Sequence, residues 1–403
     1  MASERAAEGE GKGRKRQRKQ PVQERELRGF KYLKRLRKLL ERLHDDATER
    51  DYAGNRRLFY DQYAALLLFY FFNPVLDSLR GLQQSTQLKK VQKALGIGRV
   101  SLGSLSEAAG VFGAERLEQI VRELSAQARP LSEAKEAELL AGLTAVDGTL
   151  LPALPKMVWA LWVDQQHRAA KLHLQFEVFK GVPSRAKVTD GNSSEKQVLR
   201  SMLEPGRLYV MDRGYAEYRL FQEIIDVGSS FICRIRNNAD WRLVEERPVS
   251  EAARQAGVQR DLLVWLGCSQ TASVLRQPLR VVEVAFTDRN GKKVVMLLAT
   301  NLLELAAELI ALGYRYRWAI ELFFRWLKCI LACRHLLSLS ENGVRIQVYL
   351  ALIASILITL WSGRKPNKRM FERLCFYFLG LATESEVMPE LLALPLLANA
   401  QDG

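Results

Sequence analysis

Three short apolar runs, Leu143 to Asp147 (LTAVD), Val158 to Val163 (VWALWV) and Leu172 to Phe179 (LHLQFEVF), predict three successive strands, the last alternating apolar with polar positions. A helix around Glu195 to Leu203 follows, then Pro205-Gly206 and a fourth run, Arg207 to Met211, closed by Asp212. Helical spacing over Glu217 to Val227 and a strand-like stretch from Ser229 to Arg236 complete a β-β-β-α-β-α-β order. That order combines an antiparallel meander with parallel crossovers, so the predicted class is α/β (α+β) with a mixed sheet. Residues 240–299 add further strand patterns (LVWLG, PLRVVEVAF, KVVMLLAT), with Asp288-Arg289-Asn290-Gly291 as a hairpin turn, and read as an inserted β-rich module.

Helical patterns flank this centre. Leu27 to Leu43 is amphipathic, with Leu33, Leu36, Leu40 and Leu43 on one side and basic residues on the other, and an aromatic-rich helix follows over Phe59 to Phe72. Between Leu79 and Glu123, short helices are broken by glycines, with Ser85-Thr86 and Ser101 or Ser104 as N-caps. This is the texture of a helical DNA-binding unit, with a helix-turn-helix around LKKVQKALGIGRVSLGSLSEA as one reading and a generic bundle as the other. Ile346 to Trp361 is apolar but short of a membrane span of about 20 residues, and is read as a buried core helix. Met370 to Leu381 predicts a final amphipathic helix. The expected organisation is a basic tail over 1–24, a helical DNA-binding region over 25–135, a core over 136–239 and 300–362 interrupted by the 240–299 insertion, and a helical C-terminal region over 363–403.

Charge narrows the list of partners. Sixty Lys and Arg against 45 Asp and Glu leave a formal charge of +15 over 403 residues, which points to a polyanion, with nucleic acid ahead of an anionic membrane surface. The run GKGRKRQRKQ (Gly11 to Gln20) either tracks DNA phosphates or merely solubilises the tail. Five cysteines without zinc-ribbon spacing indicate neither a disulfide framework nor a structural zinc, and a reducing cytoplasmic setting is expected.

The most informative stretch is Tyr314 to Lys328, YRYRWAIELFFRWLK. At about 100° per residue, Tyr314, Arg317, Glu321, Arg325 and Lys328 share one face of a helix. The opposite face, with Ala319, Ile320, Phe323, Trp326, Leu327 and Ile330, is apolar. One reading is a solvated face stitched by Arg317-Glu321 and Glu321-Arg325 pairs. The other makes Glu321 a metal ligand among phosphate-binding residues, with carboxylates drawn from elsewhere in the chain. Asp147, at the end of the first strand before Gly148-Thr149, and Asp212, ending the fourth in Asp212-Arg213-Gly214-Tyr215, are those carboxylates. Oxygen donors of this kind suit Mg2+ or Mn2+. Two such ions about 3.5 to 4 Å apart serve in-line phosphodiester displacement.

Asp-Arg-Gly-Tyr at 212 to 215, followed by Tyr314, Arg317, Glu321 and Lys328 in the spacing Tyr-x2-Arg-x3-Glu-x6-Lys, resembles the signature of the insertion-sequence-four family of DDE transposases. The resemblance spans residues 140–362 or so and implies a ribonuclease-H-like core in which Asp147, Asp212 and Glu321 form a metal-binding catalytic triad for Mg2+, with Mn2+ as a substitute. It also implies DNA-contacting roles for Tyr314, Arg317 and Lys328, with Arg213 and Tyr215 of the first motif carried over alongside them. Family members of the cut-and-paste kind nick one strand, form and reopen a hairpin, and join the end to target DNA. Trp241 and Trp265 are candidates for holding a base flipped out in that hairpin. Partners implied are double-stranded DNA (terminal inverted repeats and target) and a second copy in a homodimeric synaptic complex, in the bacterial cytoplasm at the nucleoid and without membrane attachment. The alternatives are a ribonuclease-H-like nuclease that does not join strands and a non-catalytic DNA-binding descendant of a transposase.

Overall fold

The central strands are buried almost continuously, because both faces of one nine-stranded mixed sheet, whose order is β3-β2-β1-β4-β5-β9-β8-β7-β6, are covered. The computed structural model describes residues 40–44, 56–73, 75–131, 135–153, 156–161, 168–267, 274–287, 291, 293–331, 336–365, 367–378 and 381–393. Strands β1 (Leu143–Pro152), β2 (Ala169–Glu177) and β3 (Val182–Asp190) form an antiparallel meander. β4 (Leu208–Met211) and β5 (Ser230–Ile235) then lie parallel to β1 in turn. This is the mixed-sheet order that the sequence predicts. It also differs from the expectation at the second strand, because the described part of Val158 to Val163 is a turn segment and the polar stretch Val182–Asp190 is the strand instead. Residues 162 and 163 lie outside the described residues.

The insertion continues the same sheet. β9 (Lys293–Thr300) pairs antiparallel with β5, and β8 (Leu279–Thr287), β7 (Val258–Leu266) and β6 (Trp241–Arg247) follow outward. Pairing with β9 satisfies the backbone groups that β5 would otherwise expose as an edge. The predicted turn at Asp288 to Gly291 falls between β8 and β9, mostly outside the described residues; Gly291 itself has φ +77°, a conformation that costs glycine little.

Two apolar layers cover the sheet. On one face Ala145, Leu174, Phe176, Val210 and Ile232 meet α11 (Trp318–Ile330), α12 (Glu341–Ser362) and the N-terminal helices. On the other face Val146, Tyr209, Met211 and Phe231 meet α8 (Tyr218–Asp226) through Leu220, Phe221 and Ile224. The apolar stripe expected for α11 is found inside: Ile320, Phe323, Trp326, Leu327 and Ile330 are buried, and Trp326 Nε1 donates to Ser355 Oγ at 2.9 Å.

Helix α12 is long and apolar enough to cross a membrane by composition, yet 83% of that window is buried within the chain. The reason is its neighbours: α1 (Tyr60–Phe71), α4 (Leu102–Val111) and α5 (Ala114–Gln127) pack on it from the N-terminal side, with β3 and α11 on the other. The N-terminal helices are therefore docked on the core rather than free-standing. Asn342 ties the two together, its Nδ2 donating to the Ala109 and Phe112 carbonyls and its Oδ1 accepting from Ala114 N. Ser101 caps α4 as expected, and Ser78 caps α2 (Leu79–Ser85), whereas Leu88 stands at the start of α3 (Lys89–Leu95) in place of the predicted Ser85-Thr86 cap. Of the leading amphipathic pattern, Leu40 and Leu43 are described and buried; Leu33, Leu36 and the basic tail lie outside the described residues. The last described elements are α13 (Lys368–Phe378), where an individual helix was expected, and α14 (Glu384–Leu392), within the 363–403 region expected to be helical.

Candidate active site

β1 and β4 hold their parallel pairing over Leu143↔Leu208, Thr144↔Tyr209 and Ala145↔Val210, and then part. Asp147 and Asp212 each come two residues after the last rung, so they are register equivalents just past the paired segment. By alternation both belong to the Ala145 and Val210 face, which α11 covers. Asp147 was expected at a strand end but lies within β1, which runs on to Pro152 against β2 alone. β4 does stop where expected, at Met211 just before Asp212, so the β1–β4 pairing ends while β1 continues.

Each carboxylate is also held locally. Asp147 Oδ1 accepts from the Gly148 N–H at 2.8 Å, and Asp212 Oδ1 accepts from the Gly214 N–H at 2.7 Å, capping the short turn Arg213–Tyr215. Burial pushes the Asp147 carboxyl up to about 6, and the nearby charges of Asp212 and Glu195 add to the rise, while the Gly148 hydrogen bond and Arg317 oppose it.

The signature stretch is two helices rather than one. α10 (Ala307–Arg315) and α11 meet at Tyr316 and Arg317, where Arg317 N, Ala319 N and Ile320 N donate to carbonyls three residues back, those of Tyr314, Tyr316 and Arg317. Such bonds tighten the turn. Gly313 brings α10 hard against the sheet: a Cβ there would lie 2.8 Å from Ile232 Cδ1. Arg317, at the joint, projects between two acids, with Nη2 2.7 Å from Glu321 Oε1 and Nη1 4.0 Å from Asp147 Oδ2. The expected Arg317-Glu321 pair is thus present. The Arg325 guanidinium lies over the Trp318 ring, 5.4 Å from its centroid.

Tyr314 is half-buried beside Arg317, whose Cζ is 5.9 Å from the ring centroid, and burial raises the Tyr314 hydroxyl above its ordinary range. Lys328 is half-exposed two turns after Glu321, and Arg213 is exposed. Tyr215 is 1% exposed and packs in the α8-side core. Trp241 and Trp265 are both half-buried on paired strands, Trp241 toward the α8-side core opposite Leu266 and Trp265 opposite Arg242.

Sequence reasoning missed Glu195. It opens α7 (Glu195–Arg200) behind the Ser194 cap, pairs with Lys171 Nζ at 2.9 Å, and comes so close to Gly148 that a Cβ there would lie 2.9 Å from its Oε1. The legible signal was a glycine directly after a strand acid together with a Ser-Glu helix start.

Among the described residues no three His, Cys, Asp or Glu side chains stand close enough to share one ion. The oxygen donors of Asp147, Asp212 and Glu321 nonetheless suit a hard divalent cation, and a half-buried Asp147 whose proton affinity is raised chiefly by burial, and further by Asp212 and Glu195, is a carboxylate short of positive charge. Arg317 now supplies part of that charge.

The family model described as Transposase DDE domain matches residues 139–357. The putative transposase y4zB of Sinorhizobium fredii is 30% identical over 219 residues, 54% of this chain and 60% of that protein. The probable transposase for insertion sequence element IS5377 of Geobacillus stearothermophilus is 28% identical over 222 residues, 55% of this chain and 56% of that protein. The putative transposase for insertion sequence element IS4SA of Synechocystis is 22% identical over 300 residues, 71% of this chain and 82% of that protein. This chain thus matches 60% or less of the length of the first two relatives. A cryo-EM structure of a piggyBac transposase synaptic complex with hairpin DNA aligns with 91% of this chain and 84% of that one, at 11% identity and a TM-score of 0.38. The family match covers both aspartates, the insertion and the whole of the helix that carries Glu321; this chain belongs to the transposase DDE domain family.

Proposed function

We propose that this chain is a metal-dependent transposase of the insertion-sequence-four kind that cleaves DNA at the ends of an insertion sequence and joins them to a target. The observation that carries the reading is the register equivalence of Asp147 and Asp212 past the last β1–β4 rung, with Arg317 linking Glu321, at 2.7 Å, to Asp147, at 4.0 Å. Mg2+, or Mn2+ in its place, would be held by Asp147 and Asp212, with Glu321 joining them. Bound there it supplies activation of the attacking oxygen and stabilisation of the leaving one.

The protein's own residues do the rest. Arg317 has a planar, bidentate group already directed at the acids and turns to the scissile phosphate when DNA arrives. Tyr314, beneath it, limits where that group can swing. Lys328 and the exposed Arg213 contribute positive charge along the phosphate backbone. Hairpin formation requires a base to leave the stack, and Trp241 or Trp265 on the outer strands would stack against it. The substrate is double-stranded DNA carrying terminal inverted repeats, synapsed by a homodimer in the bacterial cytoplasm at the nucleoid.

The test is a strand-cleavage and joining assay in Mg2+ or Mn2+ with wild type and the Asp147→Ala, Asp212→Ala and Glu321→Ala variants. Cleaved, hairpin and joined products from wild type alone, with DNA binding kept by all four, are expected. Cleavage that survives any one substitution would remove that residue from the site. Cut DNA without joined product would make the chain a nuclease.

A further inference from the structure

Two acid and base pairs flank the aspartates, one from each side of the sheet. From the α11 face comes Glu321 with Arg317 at 2.7 Å; from the α8 face comes Glu195 with Lys171 at 2.9 Å. Lys171 belongs to β2 and Glu195 to α7, so the second pair depends on tertiary structure and not on helical spacing. Its seat is made by Gly148, the residue after Asp147. A Cβ there would meet Glu195 Oε1 at 2.9 Å and Cδ at 3.3 Å, so the carboxylate rests on the backbone that carries the first catalytic acid. Its charge reaches both Asp147 and Tyr215.

We infer that Glu195 is a positioning residue for the divalent cation at Asp147 and Asp212, a fourth acid that adds negative charge to the site and braces Gly148, with Lys171 restraining it as Arg317 restrains Glu321. The inference rests on the metal-dependent reading above. It assigns opposite effects to the two members of the pair, because removing the acid lowers the site's attraction for a cation while removing the base releases the acid. A merely structural pair would weaken the site from either side.

Mn2+ binding to the full chain, measured by titration of the free-ion electron paramagnetic resonance signal, separates the two. Glu195→Gln is expected to weaken Mn2+ binding by roughly tenfold, the cost typical of losing a partner just outside a metal's ligands. Lys171→Met is expected to tighten it. Glu195→Asp should restore part of the loss, and the Mn2+ concentration for half-maximal DNA cleavage should move in parallel. A folded Glu195→Gln protein that binds Mn2+ within about twofold of wild type overturns the assignment. So does weaker binding in Lys171→Met, which decides the matter even if Glu195→Gln does not fold, and so does a wild type that binds no Mn2+. Wild type that binds Mn2+ without cutting DNA would instead defeat the transposase reading, leaving Glu195 to be judged on binding alone.

Discussion

Arg317 stands between Asp147 and Glu321, its Nη2 2.7 Å from Glu321 Oε1 and its Nη1 4.0 Å from Asp147 Oδ2, although the two acids come from a strand and a helix 174 residues apart. One guanidinium thus compensates two half-buried carboxylates before any cation or phosphate is present. Arg317→Ala is expected to lower single-turnover DNA cleavage by roughly 10- to 100-fold, matching the loss of one charge-assisted contact of about 1.5–3 kcal/mol. Lysine should recover little of that loss because it lacks the planar fork. An unchanged rate in Arg317→Ala would mean that the pair only decorates the surface.

Arg280 and Asp261 form an ion pair that is almost wholly buried, at 2.8 and 2.7 Å between β8 and β7. Arg280 Nη1 also donates to the carbonyls of Leu302, Leu303 and Leu305, the segment that leads into α10. Arg280→Met leaves Asp261 buried without its partner and should destabilise the fold by about 3–5 kcal/mol in urea denaturation. Changing both, as Arg280→Met with Asp261→Leu, should recover most of that loss. Equal instability in the single and double variants would place the cost in the three carbonyls instead.

His173 lies opposite Gly148 on β2, with Nε2 2.9 Å from Thr189 Oγ1 and Nδ1 without a hydrogen-bond partner. Burial, with Lys171 and Lys187 nearby, pulls its pKa from the ordinary 6.5 down to about 4. Between those values the unfolded chain holds a proton on this ring and the folded chain does not. Stability from the neutral ring is therefore present above pH 6.5 and is lost as pH falls toward 4. His173→Gln should lose less of its urea midpoint between pH 7 and 5 than wild type does. Parallel losses would assign the acid sensitivity to other groups.

Much of the core was legible because it depends on local periodicity. β4, α8, β5 and the buried stripe of α11 lie where apolar spacing put them, since an amphipathic face or a continuous apolar run has few other ways to leave water. The exchange of Val158 to Val163 for Val182–Asp190 shows where this fails. The former is apolar, yet Val158 and Leu161 are 71% and 54% exposed, while the latter is polar but buries Val182, Ser184, Ala186 and Val188 under neighbouring helices. Strand formation there follows from an available edge on β2 and small side chains beneath α5 and α12, which composition does not display.

The candidate site divides in the same way. Residue types and spacing alone determined the two acidic motifs, the basic charge and the amphipathic helix that carries Glu321. Tertiary structure decided that β1 and β4 part just before Asp147 and Asp212, that the turn at Arg317 aims its side chain between acids, that Tyr215 is buried, and that Gly148 admits Glu195. These are relations between segments distant in sequence. They are set by strand register and by which helix covers which face, and no local pattern encodes either.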